Sequence, residues 1–180
     1  MKFNAVLPTG LMVLTGFATA AFADAQADMV ASAESAAPAA FATGATIYGF
    51  DAGGKMMTVR EGSNQYWCMA DDPATPTADP MCGDANSMEW VMAWINKTEV
   101  PPGSVGLIFM LAGGSDASNT DPYGKQPAEG ADWVKTGPHV MVVGSDSLNK
   151  IYAGGDKPDA SKPYVMFGGT PYAHLMIPIK

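Results

Sequence analysis

Gly137-Pro138-His139-Val140-Met141-Val142-Val143-Gly144 is the stretch from which the fold reads most directly. It is a β-branched run bounded by Gly-Pro on one side and Gly on the other, which marks a short strand. Tyr172-Ala173-His174-Leu175-Met176-Ile177 repeats the pattern near the end of the chain. The chain has 2 histidines, and each is followed two residues later by a methionine. On a strand the side chains alternate with a period of 2, so His139 and Met141 share one face, as do His174 and Met176. If the two strands are neighbours, two imidazoles and two thioethers converge on one spot, a candidate site for a soft metal. Thioether and imidazole suit Cu(I), whereas calcium and magnesium want oxygen. The structural alternative is that both histidines are partly buried and satisfied by backbone groups, with methionine filling gaps in a core.

Working outward, the rest of the chain supplies more short strands and one clear helix. Ala45-Thr46-Ile47-Tyr48-Gly49-Phe50 and Lys55-Met56-Met57-Thr58-Val59-Arg60 flank Asp51-Ala52-Gly53-Gly54 and predict a hairpin. Asp84 is a good N-cap for a helix over 85–96. There Met88, Val91, Met92 and Ile95 follow the i, i+3, i+4, i+7 spacing of an apolar stripe, widened by Trp90 and Trp94. Val105 to Leu111 is a continuous apolar run that predicts a strand buried on both faces. Tyr164-Val165-Met166-Phe167 and 174–179 are the last two strands. No βαβ alternation is present, so the expected fold is α+β, a mainly antiparallel sheet of short strands with one principal helix and long loops.

Residues 1–23 read as a signal peptide. Lys2 is the basic start, Leu11 to Ala18 is a short apolar core, and Ala21-Phe22-Ala23 is an A-x-A cleavage signal. The apolar core is too short for a membrane span, which needs about 20 residues. Residues 24–43, rich in Ala and Ser and poor in large apolar residues, read as a flexible leader. A single α+β domain is then expected over 44–180. This organisation predicts a periplasmic or secreted protein. Cys68 and Cys82, the 2 cysteines of the chain, are expected to pair in that oxidising compartment. Closing their loop is worth roughly 3 kcal/mol on the chain-entropy account. The formal charge of −8 offers no basic footprint for nucleic acid or an anionic membrane.

Residues 112–138 show neither helical nor strand period, and a loop of that length is usually functional or disordered. Asp116, Ser118, Asn119 and Asp121 make it dense in oxygen and a candidate ligand loop. It departs from the EF-hand pattern, with Asp121 in place of the glycine and Pro127 in place of the bidentate glutamate. Asx and Ser/Thr turns account for the same residues without an ion.

From Arg60 onward the chain resembles an uncharacterised family of small exported bacterial proteins. The resemblance is carried by Trp67-Cys68-Met69-x-Asp71, Asp79-Pro80-Met81-Cys82, Ser115 to Tyr123, Gly137 to Met141 and Thr170-Pro171-Tyr172-x-His174-Leu175-Met176. It implies an exported single domain and no particular activity. The His-x-Met unit is also similar to the ligand pattern of periplasmic copper chaperones, although the spacing between the two units departs from theirs.

Three functions stay open. The first is an exported protein binding copper, as Cu(I), or another soft metal through His139, Met141, His174 and Met176. The second is a metal-free scaffold or module that binds a small ligand or another exported protein through the 112–138 loop. The third is a hydrolase using His139 or His174 with Asp116 or Asp121, for which no G-x-S-x-G, H-E-x-x-H or S-x-x-K signature is present. The balance leans away from an enzyme.

Overall fold

The computed structural model describes residues 16–51 and 53–179. Residues 1–15, most of the expected signal peptide, lie outside the described residues. The chain runs through helices α1 (Gly16–Glu34) and α2 (Ala39–Ala42), then strands β1 (Thr46–Phe50), β2 (Met56–Arg60), β3 (Tyr66–Met69) and β4 (Met81–Asp84). Helix α3 (Ala85–Asn96) follows, then β5 (Gly106–Met110), β6 (Gly114–Asp116), β7 (Val134–Thr136) and β8 (His139–Val143). Helix α4 (Asp146–Asn149), β9 (Tyr164–Met166) and β10 (His174–Pro178) complete it.

Eight strands form one sheet in the order β2-β1-β3-β4-β5-β8-β10-β9. Every pairing in it is antiparallel except β1 with β3. Alternation along the strands separates two cores. Trp67, Met69, Ile108, Met110, Met141 and Met176 point to one face, which α3 covers. Cys68, Cys82, Ile47 and Val59 point to the other, which α1 and α2 cover. The architecture is mixed, with helices on both faces of a mostly antiparallel sheet of short strands.

Helix α3 begins where its cap places it. An Asp84 carboxylate oxygen accepts the Ser87 N–H at 2.8 Å, and Lys97 closes the helix in the left-handed region at φ 57°. The disulfide is formed between Cys68 and Cys82, which face each other directly across β3 and β4.

Three expectations need correction. Residues 24–43 are not a flexible leader: they form most of α1 and all of α2, with Ala33, Ala36, Ala37 and Ala42 buried. Alanine is the best helix former, and its small side chain lets the helix lie close to the sheet, so few large apolar residues are needed. The Leu111 N–H donates to the Ala36 carbonyl at 2.9 Å, and Arg60 pairs with Glu34 at 2.8 Å, which fasten this layer in place. Second, β5 is not buried on both faces, because Leu107 is 43% exposed on the side away from α3. Third, the 112–138 segment is not without structure of its own: β6 and β7 pair within it as a small antiparallel sheet. Among the described residues no helix is long and apolar enough to cross a membrane.

Candidate functional site

Strands β8 and β10 are neighbours, and Met141 stands directly opposite Met176. Directly opposed residues of an antiparallel pair share a face, and the period of 2 then puts His139 and His174 on that face as well. All four sequence-derived ligands therefore look toward α3. The histidines are not opposite one another. His139 faces Pro178, so His174 lies four positions further along β10, an offset of about 13 Å at the usual strand rise. The Met141–Met176 pair sits between them.

That face borders a cavity of about 550 Å³ that opens toward solvent. Both histidines line it, together with Met69, Met81, Met110, Met141, Met166 and Met176. Met81 apart, which is half-buried, each of these methionines is at most 7% exposed. Trp90 meets the edge of the His174 ring at 5.1 Å between centroids, and Phe167 meets it at 5.4 Å. Phe167 occupies the left-handed region at φ 56°, unusual for a bulky residue. Its N–H donates to the Asn119 carbonyl at 2.7 Å, which holds the backbone in that shape.

The two imidazoles are held alike. His139 Nδ1 lies 2.7 Å from the Gly137 carbonyl oxygen, and His174 Nδ1 lies 2.9 Å from that of Tyr172. A carbonyl can only accept, so each Nδ1 carries the proton and each Nε2 presents a lone pair. Both Nε2 atoms are buried and meet no protein partner. Burial lowers the pKa of His139, against the pull of the Gly137 carbonyl. Burial likewise pushes His174 down to about 4, with His139 adding to the depression. Both rings are neutral at physiological pH. A neutral imidazole fixed through Nδ1–H, with Nε2 free, is the form in which histidine binds a metal.

Asp72, Asp79, Asp116 and Asp121 line the cavity wall. Burial first, and Asp79 second, raise Asp116 to about 7. Asp79 is raised to about 6, again mainly by burial, although the Thr75 hydroxyl donates to it at 2.7 Å. Of the loop residues singled out from the sequence, Asp116 and Asp121 reach the cavity. Ser118 Oγ instead accepts the N–H groups of Thr120 and Asp121. The Asn119 amide donates to the carbonyls of Gly155 and Val165 at 2.7 and 3.0 Å. Asp121 itself caps the turn by accepting the Tyr123 N–H at 2.9 Å. These are the Asx and Ser/Thr turns that such sequences favour.

Among the described residues, no cluster of three or more His, Cys, Asp or Glu side chains could hold a metal ion. Neither imidazole hydrogen-bonds a carboxylate among the described residues, so a His–Asp catalytic pair is not formed. Met69, Met81, Met110 and Met166 line the cavity in a way that strand periodicity alone does not reveal. What brings them in is the cross-strand register, which juxtaposes residues far apart in sequence. No protein-family model, no curated protein and no solved structure matches this chain.

Proposed function

We propose that this is an exported, periplasmic or secreted binding protein that takes up Cu(I) or a chemically similar soft ion in the methionine-lined cavity. The candidate ligands are drawn from Nε2 of His139 and His174 and the thioethers of Met141 and Met176. One observation carries the reading: two imidazoles, each oriented by an Nδ1–H bond, leave both Nε2 lone pairs buried without a partner on a wall of thioethers. An unpaired polar group in an apolar site costs about 1–3 kcal/mol, and an incoming soft ion relieves that cost. Thioether and neutral imidazole select such ions over hard, oxygen-seeking ones.

The test is competition with a Cu(I) chelator under reducing conditions that leave the disulfide intact. The wild type should compete, and Met141→Leu with Met176→Leu should weaken binding at least 10-fold, in line with the usual effect of losing metal-site partners. The fold should persist, because volume-conserving swaps cost under about 1.5 kcal/mol. No competition by the wild type would reject the reading. A second reading is favoured by the size of the cavity, since about 550 Å³ exceeds what a bare ion fills and lies within the range of small-molecule sites. In that reading a small apolar ligand occupies the cavity and the thioethers act only as its walls.

A further inference from the structure

Resting on the soft-metal reading, we infer that the cavity takes two monovalent soft ions, each in its own site of one imidazole and two thioethers. The first site is His139 with Met110 and Met141, and the second is His174 with Met166 and Met176.

The register makes the division. Met110 of β5 is the direct partner of His139, and Met166 of β9 is the direct partner of His174. Directly opposed side chains have their Cβ atoms about 4.5–5.5 Å apart, so each imidazole has a thioether beside it on the same face. The methionine two residues along the strand, Met141 or Met176, supplies a second thioether from the same face. A shared ion is a poorer fit. It would sit about 2 Å from each nitrogen, so the two Nε2 atoms would have to come within about 4 Å of one another. The strand offset separates their backbones by about 13 Å.

Gly114 of β6 marks the first site independently. A Cβ placed on it would lie 2.9 Å from the Met110 terminal methyl and 3.7 Å from His139 Cε1. The missing side chain thus leaves open the space that both ligands border. His139 is 1% exposed and His174 2%, so each site has a deeply buried nitrogen with no other partner. Two cations in one apolar cavity need counter-charge. Asp116 lines the cavity wall with its side chain in no ion pair or hydrogen bond among the described residues. Asp79 reaches the Gly114 side of the first site, its Cβ 3.6 Å from the same point. Ionised, these carboxylates would supply negative charge opposite the two cations.

The experiment is native mass spectrometry and calorimetric titration of the disulfide-bonded protein with Ag(I), a redox-inert monovalent probe. Two Ag(I) per chain are expected. Met110→Leu, and separately Gly114→Ala, should each remove one, and Met166→Leu should remove the other. Gly114→Ala is a mild probe, because the atom it crowds most is the free end of a methionine. Saturation at one Ag(I) in the wild type overturns the two-site inference and leaves the soft-metal function standing. Saturation at two that none of these single variants reduces also overturns it, by placing the ions elsewhere. No Ag(I) bound overturns both.

Discussion

On the soft-metal reading His139 and His174 carry the chemistry, and the reason lies in one atom of each. Nδ1 is committed to a carbonyl two residues upstream, and Nε2 is left with nothing to accept from. The period of 2 made the shared face of His139 and Met141 legible from the sequence, and likewise that of His174 and Met176. A backbone partner for each histidine was among the readings open from the sequence; which ring nitrogen takes it was not legible, because it depends on how the backbone turns into each strand at Gly137-Pro138 and Tyr172-Ala173. Asp116 was legible only as one oxygen among several in a loop. Its place in the cavity wall follows from the pairing of β6 with β7. That place gives it a testable signature. Its carboxyl rises from 3.8 to about 7, so the unfolded chain ionises first as pH rises. The stability this group contributes is present below pH 3.8 and is lost by about pH 7. Asp116→Asn cannot ionise, and should therefore be more stable than wild type at pH 8 but not at pH 4. The side chain is half-buried, so the gain is discounted to about 1–2 kcal/mol. Thermal melts of both proteins at the two pH values decide it, and an equal shift at both would reject the assignment. The buried histidines, whose stability runs the other way with pH, are common to both proteins and cancel.

Helix α3 and helix α1 show what periodicity reveals and what it misses. In α3 the Asp84 cap and the Met88, Val91, Met92, Ile95 stripe are explicit, and the helix begins at Ala85 as its cap requires. Ile95, however, is 40% exposed, since the arc that packs is centred on Trp90 and Val91. In α1 there is no stripe to find. Alanine supplies helix propensity and close approach together, and a reading that looks for large apolar residues takes the segment for a leader. The packing there is tight: Ala33 is fully buried, with its carbonyl oxygen 3.3 Å from Cys82 Sγ. Ala33→Leu tests this layer, because leucine is nearly as good a helix former. Overpacking should cost about 1–3 kcal/mol, whereas a substitution in a solvated leader stays within about 0.5 kcal/mol. Urea denaturation with an unchanged slope would give the difference. A negligible change would mean that α1 does not pack on the sheet in solution.

One sheet divides this molecule, and its two edge strands, β2 and β9, lie at opposite ends of the strand order. Strand β2 belongs to the α1 side, with Met57 44% exposed. Strand β9 belongs to the cavity, with Met166 paired to His174. Edge strands exchange their amide hydrogens through local opening, whereas central strands such as β5 and β8 exchange mainly through global unfolding. A ligand that binds only the folded protein slows every amide that needs global unfolding, by about 2.7 kcal/mol at 100 times its Kd. It slows a locally opening strand only where that opening breaks the site. Ag(I) should therefore raise protection in β5, β8 and β10, and also in β9, because separating β9 from β10 removes Met166 from the second ion. It should leave β2 unchanged. Hydrogen-exchange mass spectrometry with and without Ag(I) distinguishes the cases. If β9 gains no more than β2, the second ion does not bridge β9 and β10. If β2 gains as much as β9, the edge strands exchange only with the whole fold, and the sheet opens as one unit.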